Sequence, residues 1–317
     1  MARRDASSFA ILIPIVVAVA LVGFGLLVAG GESSALPEEG CSGDECGPIV
    51  AVAAATATPS PAVSLAAEPE DAPLVPAYAA AVIEAPCGAA LYALNETLRL
   101  APASLVKMMT AVVALERAEA DEIVEIGIDA AALSLAADAT AMGLQPGDRL
   151  PLIDLIYGLL LRSGHDAAIV IAEHIAGDEA AFVSLMNEKA ATLGLSDTTF
   201  ANVSGLDHPD QWISSLDAAL LGAELLKEPL LADAVATVEY QPAWTRGPIV
   251  NLNLLLSDYP GAVGVKTGFT DDGGQTIVAA ADRDGRRLIT SVLHSEDLYV
   301  DAAALLDWAF ANTVPAC

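Results

Sequence analysis

The pattern of apolar and polar positions divides the chain into three parts. From Phe9 to Gly30 runs an uncharged apolar stretch of about 22 residues, which predicts a helix long enough to cross a bilayer. Residues 32–76 are rich in Ala, Pro, Ser and Thr and keep neither helical nor strand periodicity, which predicts a disordered linker. From residue 77 onward, short apolar runs and amphipathic stretches predict one folded domain over 77–317.

Strands are predicted at both ends of this domain, with helices between them. The runs AAAVIE and AALYAL predict a first hairpin around 85–88, and a second is predicted around 282–285. Apolar positions three and four residues apart predict that SLVKMMTAVVALERA is a helix with one buried face. Ala- and Leu-rich periodicity predicts a helical subdomain over about 130–240, and a last helix is expected at roughly 297–312. One sheet built from sequence-distant strands predicts an α+β fold.

Two basic residues precede the apolar run of the first part. By the positive-inside rule, Arg3 and Arg4 stay in the cytoplasm, so residues 1–31 form a cytoplasmic tip and an anchor, and the rest lies outside. A secretory signal has an apolar core of only about 7 to 15 residues, which favours an uncleaved anchor over a cleaved signal. The expected localisation is the cell membrane, or secretion if the segment is cleaved.

The charge balance excludes one class of partner. The formal net charge is −28, and a polyanion such as nucleic acid requires a basic surface. Lysine is scarce and occurs only at positions 107, 189, 227 and 266.

The four cysteines suggest disulfides rather than a metal site. Cys41 and Cys46 flank a short loop, so a local disulfide is plausible there and Cys87 with Cys317 would be the remaining pair. Free thiols and intermolecular bridges stay open, because sequence cannot fix the connectivity.

A first candidate for chemistry is the S-x-x-K pattern formed by Ser104 and Lys107. Three-residue spacing on a helix puts the hydroxyl and the amine on one face, where a desolvated lysine can take the proton of the serine. Lys107 is the only charged residue between Arg99 and Glu116. A helix-capping serine with a snorkelling lysine explains the same pattern without chemistry.

Two further triplets carry candidate chemistry. Lys266, Thr267 and Gly268 end a strand-like run and offer a cation, a hydroxyl donor and close backbone approach to a carboxylate. Ser163 and His165 lie at a helix junction, where a hydroxyl and an imidazole can pass a proton to a leaving amine. A solvated turn and a helix-ending glycine are the corresponding structural alternatives.

The order of the three patterns resembles one enzyme family. S-x-x-K, a serine-based triplet and K-T-G occur together in penicillin-binding proteins and β-lactamases. Several longer stretches resemble the D-alanyl-D-alanine carboxypeptidases, which are low-molecular-mass penicillin-binding proteins: APASLVKMMTAVVALE, LRSGHDAA, FVSLMNEKAATLG, DTTFANVSGLD, YPGAVGVKTGFTDDGG and DGRRLI. The resemblance covers nearly all of residues 77–312.

The resemblance implies a fold and a set of roles. The fold would be an antiparallel sheet flanked by helices with an inserted all-helical subdomain. Ser104 would attack the carbonyl between two D-alanines, Lys107 would act as base and Ser163 would relay a proton. Lys266 and Thr267 would hold the terminal carboxylate. The amides of Ser104 and Phe269 would form the oxyanion hole. Peptidoglycan stem peptides are the implied substrates and β-lactam antibiotics the implied acylating inhibitors.

The sequence departs from the family pattern at two places. His165 stands where the second motif commonly has Asn, and an imidazole with an ordinary pKa near 6.5 predicts activity that falls as His165 protonates. The segment HSEDLYVD offers only His294 where the family often has an arginine, which predicts weaker carboxylate anchoring.

Other function classes are weaker fits. His174, His208 and His294 have no metal-ligand spacing, so neither a metal nor a cofactor is expected. A β-lactamase-like hydrolase is one alternative, although no Glu-x-x-Leu-Asn segment is present to activate water. A catalytically weakened cell-wall-binding module is the other, because of His165.

Overall fold

The computed structural model describes residues 71–242 and 247–317. The strands of this part are β1 Ala77–Ala85, β2 Ala89–Leu94, β3 Ile123–Glu125, β4 Arg149–Pro151, β5 Glu239–Tyr240, β6 Ile249–Val250, β7 Ala262–Thr270, β8 Gly274–Arg283 and β9 Arg286–Ser295. The helices are α1 Val106–Arg117, α2 Ala130–Ala136, α3 Leu152–Leu161, α4 His165–Ala176, α5 Glu179–Leu193, α6 Ser215–Leu225, α7 Pro229–Ala236, α8 Leu255–Asp258 and α9 Leu298–Asn312.

The principal sheet joins strands from both ends of the domain. Its order is β2-β1-β9-β8-β7, and every neighbouring pair is antiparallel. The pairing of β1 with β9 brings Ala79 opposite Leu293, more than 200 residues later in the chain. The predicted α+β fold with an antiparallel sheet flanked by helices is confirmed, and both predicted hairpins are present.

The central strands are buried on both faces, because helices cover the sheet on each side. In β8, Val278 and Ala280 belong to the core under the main group of helices, whereas Ile277 and Ala279 pack toward α9. The sequence of a strand that is covered on both faces is a continuous run of apolar residues rather than an alternation of apolar and polar residues. This accounts for the uninterrupted TIVAAA segment of β8.

Helix α1 is buried on every side for most of its length. Residues 106–114 are all buried, including Lys107 and Thr110. The prediction of a single buried face was therefore incomplete. The Thr110 hydroxyl satisfies its hydrogen-bonding capacity by donating to the carbonyl of Val203 at 2.7 Å, and a helix enclosed all round belongs at the centre of a domain.

The predicted helical stretch of residues 130–240 contains α2 to α7, but its helices do not all pack together. Helix α6 lies against the sheet, and a Cβ added at Gly222 would come within 2.6 Å of Val278. The limits of the helical subdomain remain a prediction. The amphipathic pattern of α6 predicts a buried face without indicating what covers that face.

The C-terminus is fastened to the first hairpin by a set of residues that we call the C-terminal clasp: Glu84, Cys87, Arg286, Thr313 and Cys317. Cys87 and Cys317 form a disulfide. The Arg286 guanidinium donates to Glu84 Oε2 at 2.7 Å and to Thr313 Oγ1 at 2.8 Å. Cys41 and Cys46 lie outside the described residues.

Within 71–242 and 247–317, no helix is both long and apolar enough to span a membrane. The predicted anchor from Phe9 to Gly30 and almost all of the predicted linker fall outside the part of the chain that the structure describes.

Candidate active site

Ser104 lies in a turn immediately before α1. A 3₁₀ turn, Ala103–Leu105, leads directly into the helix, so Lys107 occupies the first helical turn. The Lys107 Nζ is 3.0 Å from the Ser104 Oγ. The structure thus brings the two residues of the S-x-x-K pattern into hydrogen-bonding contact.

Two glycines allow neighbouring backbone to approach the serine turn. A Cβ added at Gly268 would lie 2.8 Å from the Ser104 amide nitrogen, and one at Gly205 would lie 1.8 Å from the Ala103 carbonyl oxygen. Real Cβ atoms do not come this close, so only glycine fits at either position. The backbone of β7 is therefore adjacent to the Ser104 amide.

Ser204, in the loop between α5 and α6, connects the lysine to the imidazole. Its backbone carbonyl accepts a hydrogen bond from the Lys107 Nζ at 2.5 Å. Its hydroxyl lies 2.7 Å from the His165 Nδ1. Through two different atoms, one residue holds both Lys107 and His165 at the site.

Ser163 sits between α3 and α4 in a strained backbone conformation. Its φ is +61°, which is uncommon for a residue other than glycine. The side chain is buried at 5% exposure, and its Oγ has no hydrogen-bond partner among the described residues. An unpartnered buried hydroxyl that lines a cleft is available to a bound substrate.

The K-T-G residues are on β7, beside the serine turn. Lys266 is almost fully buried, and its Nζ donates to the Thr267 carbonyl at 2.7 Å. The Phe269 side chain is exposed at the rim. Neither Lys266 nor Lys107 forms an ion pair with any carboxylate in the part of the chain described.

Burial and mutual repulsion shift the pKa values of the two lysines. Burial lowers the pKa of Lys107 well below 10.5, and the charge of Lys266 lowers it further, while the charge of Asp166 raises it. Burial alone lowers the pKa of Lys266 to about 7. A lysine with a depressed pKa supplies the free amine that a general base requires.

The surroundings of His165 change the pH range that the sequence predicted. Burial and then the charge of Lys107 lower the pKa of His165 to about 4, and Asp166 opposes this shift. The imidazole is therefore neutral over the physiological range. The predicted loss of activity on His165 protonation still stands as a prediction, but we now expect it near pH 4 rather than near 6.5.

All of the predicted site residues except Lys266 line one open cleft of about 810 Å³. The residues of the three motifs that line it are Ser104, Lys107, Ser163, His165, Thr267, Gly268 and Phe269. Lys266 is not among the lining residues, and its buried Nζ donates to the carbonyl of the neighbouring Thr267. His294 is also off the cleft, because its ring stacks on Tyr78 at a centroid distance of 4.1 Å, and no arginine is among the described lining residues.

Comparison with known proteins identifies the family. The family model for peptidase S11, D-alanyl-D-alanine carboxypeptidase, matches residues 66–297. The chain belongs to this family.

Relatives and solved structures support the same family. DacC of Escherichia coli is 36% identical over 262 residues, covering 79% of the chain and 65% of that protein. DacF of Bacillus subtilis is 32% identical over 247 residues, covering 74% and 62%. Both are D-alanyl-D-alanine carboxypeptidases, and the chain spans less than two thirds of the length of either.

The Streptomyces K15 DD-transpeptidase superposes with a TM-score of 0.72 at 28% identity, covering 76% of the chain and 99% of that structure. A D-alanyl-D-alanine carboxypeptidase of Mycobacterium tuberculosis gives 0.71 at 32% identity, covering 78% and 97%.

The sequence motifs did not indicate three residues in or beside the cleft: Asp166, Ser204 and Gly205. Ser204 contacts Lys107 through its backbone carbonyl, which every residue type has, and Gly205 contributes only the absence of a side chain. The segments SGHD and VSGLD resemble the family, but they do not indicate these contacts. In the described parts of the chain, no cluster of three or more His, Cys, Asp or Glu side chains is arranged to hold a metal.

Proposed function

We propose that the protein is a serine-type D-alanyl-D-alanine carboxypeptidase that removes the terminal D-alanine of peptidoglycan stem peptides through an acyl-enzyme on Ser104. One observation carries this proposal: the buried Lys107 amine lies 3.0 Å from the Ser104 hydroxyl. A hydroxyl becomes a useful nucleophile when an adjacent base takes its proton.

In the first half of the reaction, the Ser104 Oγ attacks the carbonyl carbon between the two D-alanines as its proton passes to the Lys107 Nζ. The negative charge moves to the carbonyl oxygen. The amides of Ser104 and Phe269 receive this oxyanion, which is consistent with the close approach of Gly268 to the Ser104 nitrogen.

The leaving group departs by protonation of its nitrogen. Ser163 passes a proton to the D-alanine amine as the C–N bond breaks, and Lys107 restores the proton to Ser163. The unpartnered Ser163 Oγ suits this relay, because it has no competing bond to a described residue. Protonated Lys266 and the Thr267 hydroxyl hold the terminal carboxylate, while His165, which also lines the cleft, contacts the substrate.

In the second half, water attacks the acyl carbon and Ser104 regains its proton. An amine in place of water would give a transpeptide instead. β-Lactam antibiotics enter the same path as acylating inhibitors, because their strained amide presents a similar carbonyl to Ser104.

We place the catalytic domain outside the cytoplasm, attached to the membrane by the segment from Phe9 to Gly30. This placement rests on the sequence, since that segment lies outside the described residues. The Cys87–Cys317 disulfide supports an oxidising compartment.

Incubation of the full-length protein with a fluorescent penicillin and, separately, with a peptide ending in D-Ala-D-Ala tests the proposal. We expect a long-lived fluorescent adduct and release of D-alanine, and we expect both to be lost in Ser104→Ala. Rapid turnover of the drug would instead indicate a β-lactamase-like hydrolase. The absence of any Ser104-dependent reaction would indicate a cell-wall-binding module.

A further inference from the structure

One buried carboxylate beside the site has no role in the chemistry proposed above. Asp166 follows His165 in the first turn of α4 and is fully buried. Its carboxylate accepts backbone hydrogen bonds from the amides of Met142, Gly143, Leu144 and Ala167, at 2.9, 2.7, 3.0 and 2.9 Å. No lysine or arginine in the described ranges forms an ion pair with it, so its direct hydrogen-bond partners are backbone amides, whose dipoles stabilise its charge.

Three of those amides belong to a segment that forms one side of the cleft. We call residues 137–144 the cleft wall, because positions 137–140 line the cleft and positions 142–144 bond to Asp166. Two further bonds fasten the wall to the same helix junction. The Thr140 hydroxyl donates to the Ser163 carbonyl at 2.6 Å, and the His165 amide donates to the Thr140 carbonyl at 2.8 Å.

The Asp166 carboxylate also interacts electrostatically with two titratable groups of the cleft, Lys107 and His165. Lys107 is faced by Lys266 from β7, by His165 and Asp166 from α4, and by the Ser204 carbonyl from the following loop. Among these groups, Asp166 is the one negative charge that raises the pKa of Lys107 and of His165. When Lys107 takes the proton of Ser104, a nearby fixed negative charge stabilises the ammonium that forms.

We propose that Asp166 is a positioning residue for the acyl-transfer reaction: it holds the cleft wall against the Ser163–His165 junction and places a buried negative charge next to His165, beside the cleft. This inference rests on the proposed function of the site. Asp166 does not touch the reacting atoms, so it acts through the wall and through Lys107.

The chain offers a matched control for a substitution of Asp166. Asp217 is also a buried aspartate in the first turn of a helix, α6, where it accepts from the Asp197 amide and the Thr198 hydroxyl, both at 2.8 Å. It does not line the cleft. Asp217→Asn therefore reports the general effect of neutralising a buried, amide-bonded carboxylate.

The test compares penicillin acylation rates of full-length wild type, Asp166→Asn and Asp217→Asn between pH 4 and 9. We expect Asp166→Asn to acylate about 10- to 100-fold more slowly at neutral pH, because the cleft wall shifts and the Lys107 ammonium loses support. Removal of the negative charge lowers the pKa of Lys107 and of His165 further, so the acidic limb moves down by about one pH unit. The ratio of Asp166→Asn to wild-type rates should consequently rise as the pH falls.

A ratio that does not change with pH, as we expect for Asp217→Asn, would overturn the electrostatic part of the role. Amide hydrogen exchange tests the wall in the wild-type protein and does not require a stable variant. We expect peptides containing residues 142–144 to be strongly protected, and exchange as fast as in an unstructured chain would overturn the proposal. If wild type is not acylated by penicillin, the proposed function fails, whereas the exchange measurement still decides whether the amides of residues 142–144 are held in place.

Discussion

Buried charged side chains have opposite surroundings in the cleft and in the C-terminal clasp. In the clasp, the carboxylate of Glu84 meets the guanidinium of Arg286 at 2.7 Å and also accepts from the Ala316 amide. In the cleft, Lys107 and Lys266 are both buried without an ion pair to any carboxylate of the described ranges, and both have a lowered pKa. In the clasp, the ion pair of Glu84 and Arg286 stabilises the fold. In the cleft, burial disfavours the charged form of both lysines, which favours proton transfer.

The pKa shifts express this difference as opposite dependences on pH. The Arg286 side chain lowers the pKa of Glu84, so its contribution to stability is present above pH 4.5 and is lost as the pH falls. Burial lowers the pKa of Lys266 to about 7, so its charge destabilises the folded state below that pH. This penalty disappears as the pH rises from about 7 toward 10.5.

The largest expected effect separates catalysis from stability within the cleft. Replacing Lys107 by Met removes the base, so we expect acylation by penicillin to fall by about 10²- to 10⁴-fold. The same change removes a buried amine without an ion pair, so the free energy of unfolding should rise by roughly 1 kcal/mol. Acylation kinetics and thermal unfolding of the same preparation measure both effects.

Lys227→Met is the matched control for this substitution. Lys227 is largely exposed and pairs with Glu224 on α6, so neither acylation nor stability should change by much. A Lys107→Met variant that is both inactive and less stable than wild type would contradict the contrast between cleft and clasp, since Lys107 would then be structural.

The next effect is in the clasp and concerns stability alone. Glu84→Gln keeps the shape of the side chain but leaves Arg286 without its counter-charge, so the free energy of unfolding should fall by about 2 to 3 kcal/mol. The acylation rate of the folded protein should stay within about twofold of wild type, because no clasp residue lines the cleft. Denaturant unfolding and penicillin labelling measure the two quantities.

Asp282→Asn provides the comparison in the neighbouring hairpin. The Asp282 carboxylate pairs with Arg287 at 2.7 Å, but both side chains are more than one third exposed. An exposed pair contributes little, so we expect a loss below about 1 kcal/mol. Equal losses for Glu84→Gln and Asp282→Asn would mean that burial does not distinguish the clasp.

Sequence patterns predicted much of the cleft but little of the clasp. Ser104, Lys107 and the K-T-G residues carry their chemistry in side chains at fixed spacing, so short motifs are enough to indicate them. The clasp depends on Glu84 meeting Arg286 across more than 200 residues of chain, and no local pattern encodes that pairing. Of the clasp contacts, the sequence indicated only the Cys87–Cys317 disulfide, and it left other pairings open.

Residues that act through the backbone were the hardest to foresee. The Ser204 carbonyl holds Lys107, and Asp166 binds amides of a segment more than 20 residues before it. Such contacts depend on the path of the chain rather than on residue type. The same limit explains helix α1, where the apolar spacing predicted one buried face and the surrounding elements enclose residues 106–114 on every side.

The last prediction concerns the alkaline limb of activity and uses Lys266 to sharpen the comparison. In the proposed mechanism Lys266 must be protonated to hold the substrate carboxylate, and its pKa of about 7 predicts that kcat/KM of the free enzyme falls by about tenfold per pH unit above that value. Arginine stays charged throughout this range, so Lys266→Arg should lower kcat/KM at neutral pH but remove the limb up to at least pH 9. D-alanine release from a D-Ala-D-Ala peptide, measured from pH 6 to 9, gives both profiles. If kcat/KM of Lys266→Arg still falls above about pH 7, the alkaline limb is due to the titration of another group. If the limb disappears, the charge that destabilises the cleft below pH 7 is the charge that binds substrate, so the protein gains activity from the same proton that weakens its fold.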